Sequence, residues 1–214
     1  MIAWSLITKL GDVTLTTFAA LAIAAWLLVE NERRLALWWG LLFTVGMSVV
    51  VATKMAFIGW GIGIRAIDFT GFSGHAMRTT AVLPVLFYLI LQRSPSIART
   101  CGTLFGLALG AVVGISRLAV HAHSVSEVVA GWMLGGVVSF GFIWIASTSL
   151  RNPVFNPLRI ALSLLALLPA PYVHPAPTQQ WLTDITLYFT GHDHPFPRAG
   201  WKTDRARGRP PPAS

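Results

Sequence analysis

Long stretches without a charged residue are the feature that most constrains this chain. They cover residues 13–29, 35–53, 79–92, 100–116 and 128–150. A helix needs about 20 predominantly apolar residues to cross the hydrocarbon core of a bilayer, so each window predicts a spanning helix once interfacial residues extend its ends. Helices and closed barrels are the structures that satisfy backbone polar groups inside lipid. The sequence therefore predicts an all-α, polytopic transmembrane helix bundle.

The composition supports a membrane protein and sets the number of spans. Hydrophobic residues make up 54% of the chain and charged residues 11%, which is far more apolar than an ordinary soluble domain. A further apolar run, residues 158–173, is interrupted by prolines and predicts a short or interfacial sixth helix, giving five to six spans. We expect residues 1–173 to form a membrane-embedded domain, and residues 174–214 to form a polar tail rich in proline and basic residues.

Glycines mark two places along the predicted bundle. Residues 58–64 are rich in glycine, which predicts that the second helix stops near Lys54. The fourth window carries a glycine at every fourth position, which predicts close packing against another helix rather than a substrate groove. These glycines are Gly102, Gly106, Gly110 and Gly114.

The net charge of +8 is spread over the short loops and the tail. Anionic lipid head groups attract basic residues next to spanning segments, so we expect a lipid bilayer, and not nucleic acid, to be their partner. If the spans alternate in direction, one set of loops receives six arginines, and such loops stay in the cytoplasm. They are Arg33, Arg34, Arg93, Arg99, Arg151 and Arg159.

Ionisable residues crowd the junction of the fourth and fifth windows, where polar groups indicate function. Arg117, His121, His123 and Glu127 all lie here. If the chain turns helical near His123, then Glu127 lies four residues on, on the same face, within reach of the imidazole. Such a pairing makes a histidine a nucleophile or a base.

Three blocks of the sequence resemble the type 2 phosphatidic acid phosphatase superfamily of integral-membrane lipid phosphatases. The third block, serine-arginine, five residues, histidine, three residues and an acid, matches at Ser116, Arg117, His123 and Glu127. The second block, proline-serine-glycine-histidine, matches at Phe72, Ser73, Gly74 and His75. The first block, a lysine followed seven residues later by arginine and proline, matches at Lys54 alone.

The resemblance implies phosphoryl transfer through a histidine. His123 is expected to attack phosphorus and form a phosphohistidine, while Glu127 binds the other ring nitrogen and fixes the tautomer. His75 is expected to protonate the leaving group, because histidine titrates near neutral pH. The resemblance implies no metal and no other cofactor, and the single Cys101 excludes both an internal disulfide and a cysteine metal cluster.

The same resemblance implies a set of phosphate-binding groups. Lys54 and Arg117 are expected to bind the equatorial oxygens, whose charge grows in the transition state. The amides of Ser73 and Gly74, at the start of a helix, are expected to donate to the same oxygens. Alternation of the spans carries all of these groups to one membrane face, opposite the arginine-rich loops, so we expect an inner-membrane protein whose site faces outward, to the periplasm.

The chain departs from the family pattern at three positions. Gly61 stands where the arginine of the first block would be, and we expect Arg65, in the glycine-rich loop, to supply the missing contact, with Arg78 as the alternative. Phe72 replaces the proline of the second block, which affects how the loop enters the helix. Glu127 replaces an aspartate and is longer by one methylene group.

The expected substrate is a lipid phosphate in the same bilayer. The leading class is a polyprenyl diphosphate such as undecaprenyl diphosphate, whose recycling takes place outside the cell membrane. Glycerolipid phosphates and lipid A phosphates are alternatives, and transfer to another acceptor instead of water fits the same residues. The departures also leave open a catalytically inactive protein that binds lipid.

Overall fold

The computed structural model describes residues 4, 7, 8, 11–149 and 177–198. Within these residues the chain is helical, without any extended strand, and an isolated bridge joins Ile64 to Phe69. The prediction of an all-α fold is therefore confirmed. The principal helices, in chain order, are α1 (Val13–Val29), α2 (Arg33–Trp60), α3 (Gly74–Ile90), α4 (Ser96–Ala119), α5 (Val125–Ser149) and α6 (Thr178–Thr190).

Four of these helices, α2 to α5, are long and apolar enough to cross a membrane, α3 being extended through a short turn to Arg93. Helix α1 is apolar but has 17 residues, slightly fewer than a full crossing requires. The outer faces expose large apolar side chains, among them Leu37, Val137 and Trp144, as surfaces that contact lipid must. The predicted sixth run, residues 158–173, lies outside the described residues.

Helix α3 is the centre of the bundle, packed between α4 and α5 through glycines. A Cβ atom on Gly106 of α4 would lie 2.7 Å from the backbone of Pro84 in α3. One on Gly131 of α5 would lie 2.5 Å from the carbonyl oxygen of Ser73, at the start of α3. Both approaches are closer than any side chain allows, so the prediction that the glycine stripe of α4 serves close packing is confirmed.

Polar contacts cap the start of helix α1 and join the helix to the bundle. Asp12 caps its first turn by accepting a hydrogen bond from the Thr14 amide at 2.8 Å. The indole of Trp39 in α2, which is almost fully buried, donates to the Ala20 carbonyl at 2.9 Å. These contacts satisfy polar groups where water is scarce.

Helix α2 is longer than the glycine content suggested, and this corrects the prediction that it stops near Lys54. It continues to Trp60 and ends at Gly61, whose φ of 66° is the left-handed conformation common at helix ends. Gly59 stays helical because α6 packs directly on it: a Cβ atom there would lie 2.7 Å from Thr190. Tertiary packing thus overrides the weak helical propensity of glycine.

The chain brings the end of α2, the start of α3, the end of α4 and the start of α5 together at one end of the bundle. The Ser73 amide donates to the Glu127 carbonyl at 3.0 Å, which joins the first residues of α3 and α5. The Phe72 amide donates to Thr53 Oγ1 at 3.4 Å, which joins the loop to α2. A proline at position 72 has no amide hydrogen to donate, so the phenylalanine is consistent with this local contact.

Candidate active site

A cavity of about 410 Å³ opens at the end of the bundle where these four helix ends meet. Its wall combines residues from α2, α3, α4, the loop before α5, and the C-terminal segment. They are Lys54, Phe57, Ile58, Thr70, Gly71, Gly74, His75, Arg78, Arg117, Ala122, His123, Thr178, Gln179 and Arg198.

The charge of this wall selects for an anion. Lys54, Arg78, Arg117 and Arg198 all line it, together with two histidines, and no carboxylate is among the described lining residues. Concave surfaces lined by one sign of charge concentrate ions of the opposite sign. Among the described residues, no cluster of histidine, cysteine or acidic side chains could hold a metal ion.

His123 is held from behind by Glu127. Its Nδ1 lies 2.7 Å from Glu127 Oε2, and the carboxylate is completely buried while 13% of the histidine side chain is exposed. A carboxylate can only accept, so Nδ1 carries the proton and donates it, which leaves the lone pair of Nε2 for chemistry. The histidine therefore has the tautomer that a nucleophile requires, and the sequence spacing had predicted this pair.

Glu127 is fixed by a set of donors that the sequence did not suggest. The Thr70 amide donates to Oε1 at 3.0 Å, the Thr70 hydroxyl donates to the same oxygen, and the Ser124 amide donates to Oε2 at 3.1 Å. A buried carboxylate is costly unless it is fully hydrogen-bonded. The loop before α3 and the first turn of α5 thus both bind the same buried carboxylate. This common contact fixes the distance between the two segments.

Burial lowers the pKa of His123 below its ordinary value, while the hydrogen bond with Glu127 acts in the opposite direction. The free histidine titrates near about 6.5, so the imidazole is neutral at pH 7. A neutral ring is the form that can attack phosphorus.

His75 faces the cavity from the first turn of α3, next to Gly74. Ser73, the residue before them, is fully buried, and its amide already donates to the Glu127 carbonyl. In this structure that amide is therefore occupied, contrary to its expected role, and Gly74 is the member of the pair that reaches the cavity. The second block places His75 on the same cavity as His123, as the common membrane face predicted.

Lys54 and Arg117 both reach the cavity. Lys54 Nζ lies 3.1 Å from Gln179 Oε1, a neutral partner on the first turn of α6. The Nε of Arg117 is buried and has no hydrogen-bond partner among the described residues. Buried polar groups are normally paired, so this nitrogen suits an anion that enters the cavity.

Arg65 is not among the residues that line the cavity. It is exposed in the turn Arg65–Ile67, whereas Arg78 is 7% exposed and lines the wall. Arg78 Nε donates to Thr16 Oγ1 at 3.1 Å, and its Nη2 donates to the Gly11 carbonyl at 3.4 Å. Those partners hold the guanidinium in place, so the structure favours the alternative, Arg78, over Arg65.

We expect Arg78→Ala to lower kcat/KM by about tenfold to a thousandfold, the cost of removing one donor to a charged transition state. Arg65→Ala should cost much less. Phosphate release by the purified variants measures both. Because Arg78 also joins α1 to α3, Thr16→Val is the matched control that removes one of its partners and keeps the guanidinium. A crippled Arg65→Ala beside an active Arg78→Ala would contradict this assignment.

Comparison with known proteins places this geometry in a family. The PAP2 superfamily matches residues 65–151, the part of the chain that holds His75 and His123. A relative described as an uncharacterized 22.5 kDa protein in the cps region of Klebsiella pneumoniae is 38% identical over 202 residues, which cover 91% of this chain and 95% of that protein. The chain belongs to the PAP2 superfamily. With its spanning helices, this membership supports a multi-pass membrane phosphatase that acts on lipid phosphates.

A second relative matches a shorter part of the chain. It is phosphatidylglycerophosphatase B of Bacillus subtilis strain 168, 31% identical over 70 residues, which cover 32% of this chain and 34% of that protein. No solved structure matches the chain.

Several residues that line or support the cavity were not predicted, among them Thr70, Gln179 and Arg198. Thr70 belongs to a long loop between spans, and loops of that kind often carry function, so its region could have been suspected. Gln179 and Arg198 belong to the predicted tail, far along the chain from every block. No sequence signal connects them to the cavity, since their approach depends on how α6 packs on α2.

Proposed function

We propose that this protein hydrolyses the terminal phosphate of a membrane lipid through a phosphohistidine on His123, and that a polyprenyl diphosphate carrier is its preferred substrate. The observation that carries the proposal is the buried Glu127 carboxylate 2.7 Å from His123 Nδ1, behind a cavity lined by cations. This arrangement presents a neutral imidazole nitrogen to an anion.

The first step transfers the terminal phosphoryl group to the protein. His123 Nε2 attacks phosphorus, a nitrogen–phosphorus bond forms, and the bond to the bridging oxygen breaks in line. The proton on His75 passes to the departing oxygen, so a diphosphate leaves as the lipid monophosphate. Glu127 stabilises the positive charge that develops on the His123 ring.

The second step returns the protein to its starting state. His75, now neutral, accepts a proton from a water molecule, whose oxygen attacks phosphorus. The nitrogen–phosphorus bond breaks and inorganic phosphate leaves. Lys54, Arg78 and Arg117 line the same cavity, and their charges suit the oxygens in both transition states.

The size of the cavity favours a substrate whose bulk lies outside it. Ligand cavities measure roughly 300–1,000 Å³, so about 410 Å³ suits a head group but not a long lipid chain. The apolar faces of the spanning helices provide the surface along which such a chain can lie in the bilayer. A lipid phosphate, with its head group in the cavity and its chain in the bilayer, fits this arrangement better than a water-soluble ester.

The charge and the expected outward orientation favour a carrier diphosphate. Several cations line the cavity, which suits two linked phosphates, and carrier diphosphates are released outside the cell membrane. A glycerophospholipid phosphate is the second candidate, because a relative over 70 residues bears the name phosphatidylglycerophosphatase B.

Phosphate release by the purified full chain in detergent tests the function. The substrates are a polyprenyl diphosphate, phosphatidylglycerol phosphate, phosphatidic acid and a phosphorylated lipid A, with His123→Ala as the inactive control. We expect the highest kcat/KM on the diphosphate. A preference for a glycerolipid would overturn the substrate assignment, release only to an added lipid acceptor would indicate a phosphotransferase, and no release from any substrate would indicate an inactive lipid-binding protein.

A further prediction concerns the side of the membrane that the site faces, since this determines which lipid pool the site can reach. Single cysteines at Ile67, in the loop before α3, and at Ser96, at the start of α4, should react differently with an impermeant thiol reagent in intact cells. The background carries Cys101→Ser, because Cys101 is exposed. Position 67 is preferable to Thr70, whose hydroxyl binds Glu127.

We expect labelling at position 67 and none at position 96 until the cells are permeabilised. Permeabilised cells are the control, because both cysteines should then react. The reverse pattern would place the site in the cytoplasm and reverse the ranking of carrier over cytoplasmic lipids.

A further inference from the structure

The C-terminal segment, residues 177–198, returns to the catalytic end of the bundle and places an arginine beside the nucleophile. We infer that Arg198, from the far end of the chain, binds the phosphate of the substrate in addition to Arg78, which takes the place of the arginine that position 61 lacks. This inference rests on the proposed phosphatase function. It concerns a residue well outside the region that matches the family, residues 65–151.

The segment is fixed two residues before Arg198. The Phe196 amide donates to the Ile58 carbonyl at 2.9 Å, one of the carbonyls in the last turn of α2. The Phe196 ring packs edge-on against Phe57, with 6.3 Å between the ring centroids. A backbone hydrogen bond and an aromatic contact with the buried Phe57 ring together hold the chain against α2, so the position of Arg198 does not depend on its own charge.

Position 61 is blocked by the same contact. Gly61 has a φ of 66°, a conformation in which side chains are strained, and a Cβ atom there would lie 2.6 Å from the Phe196 ring. No arginine could stand at position 61 without expelling Phe196. The ring that excludes an arginine from the helix end also anchors the segment that delivers Arg198 to the cavity.

The Arg198 guanidinium lies among the groups that hold the nucleophile. Its Nη1 is 3.4 Å from Glu127 Oε2, the oxygen that also binds His123 Nδ1. Its Nε and Nη2 are 3.3 Å and 3.2 Å from the two carboxylate oxygens of Asp68. One carboxylate therefore separates the guanidinium from the imidazole, and Arg198 lines the cavity on that side.

Glu127 does not account for the presence of Arg198. Its two oxygens already accept from His123, from Ser124 and twice from Thr70, which fills the roughly four lone-pair positions of a carboxylate. The Arg198 contacts to it, at 3.3 and 3.4 Å, are long for charged hydrogen bonds. The guanidinium fork contacts Asp68 through Nε and Nη2 at similar distances, 3.3 and 3.2 Å. Arg198 also lines the cavity, so its charge can attract a phosphate that enters.

The test compares Arg198→Ala and Arg198→Lys with the wild-type full chain, using the best substrate of the panel. We expect Arg198→Ala to lower kcat/KM by about tenfold to a thousandfold, and Arg198→Lys to recover part of the loss, because lysine keeps the charge but not the fork. Guanidinium chloride at millimolar concentration should restore part of the Arg198→Ala rate and none of the Lys54→Ala rate. Arg93→Ala, at the far end of α3, is the matched arginine control.

A second measurement does not depend on turnover. Orthovanadate, a mimic of the phosphoryl transition state, should bind the wild-type protein and bind Arg198→Ala about tenfold or more weakly. Equal vanadate affinity in the two proteins would overturn the inference, as would a loss of activity that accompanies a lowered Tm and does not respond to guanidinium. If the wild-type protein hydrolyses nothing in the panel, the proposed function fails, and the vanadate comparison still decides whether Arg198 binds a phosphate-like anion.

Discussion

His123→Ala is expected to abolish turnover, lowering kcat by about a thousandfold or more, because removing a covalent nucleophile removes the route through the intermediate. The side chain lies in the loop before α5 and borders the cavity, not the packed core. The variant should therefore insert and fold like the wild-type protein. Phosphate release and thermal unfolding of the purified variant measure the two properties separately.

The matched control lies two residues away. His121 is exposed, has a φ of 54° and is not among the residues that line the cavity. His121→Asn keeps a residue that tolerates this backbone conformation, and it should retain activity. A phosphorylated wild-type protein that is stable in base and labile in acid should be trapped on rapid quenching. More than a few per cent of wild-type activity in His123→Ala would rule out the nucleophile assignment.

Glu127→Gln is expected to have the second large effect and to lower kcat by a factor of about 10³ to 10⁴. Neutralising the acid of a serine-protease triad has an effect on this scale. The amide keeps the shape but brings an NH₂ group against the amide or ring donors that now bind the carboxylate. It also removes the hydrogen bond that raises the pKa of His123. The His123 pKa should fall, so the ring of the variant stays neutral to lower pH, and the acid limb of the kcat/KM profile should move to lower pH.

Glu127→Asp and Ser126→Ala complete this comparison. Aspartate keeps the charge but is shorter by one methylene group, so it should fall between wild type and Glu127→Gln. Ser126 is half-buried, precedes Glu127 in the chain and donates to the Ile67 carbonyl at 2.8 Å. The loss of its hydroxyl should leave the rate and the pH profile unchanged. An unchanged acid limb in Glu127→Gln would mean that the carboxylate does not act through His123.

The helices and the contact between His123 and Glu127 could be predicted because they depend on near neighbours in sequence. Charge-free windows define spans whatever the rest of the chain does. The spacing of His123 and Glu127 places one side chain over the other at the first turn of a helix. The glycine stripe likewise encodes a close approach, although only the structure shows that α3 is the partner.

The features that could not be predicted from the sequence depend on contacts between residues that are distant in the chain. Helix α2 was expected to stop near Lys54, but it continues through Gly59 because α6, more than a hundred residues later, packs on that glycine. Arg65 was expected to supply the missing contact from its position in the sequence, with Arg78 as the alternative. Their difference lies in the carbonyl and hydroxyl that α1 offers to Arg78. Arg198 stands 130 positions from Asp68, its anchor, and no local pattern could reveal that pairing.

The hydrogen bond from the Ser73 amide to the Glu127 carbonyl, 3.0 Å long, and the close approach of Gly131 to the same turn bind the first residues of α3 and α5 into one rigid piece. Spanning helices tilt when the thickness of the surrounding bilayer does not match their hydrophobic length. Here such a tilt must rotate both helices together, so it leaves the separation between His75 and His123 unchanged. The arrangement of the two histidines can therefore stay constant across membranes of different thickness and across changes in growth temperature that alter lipid chain length.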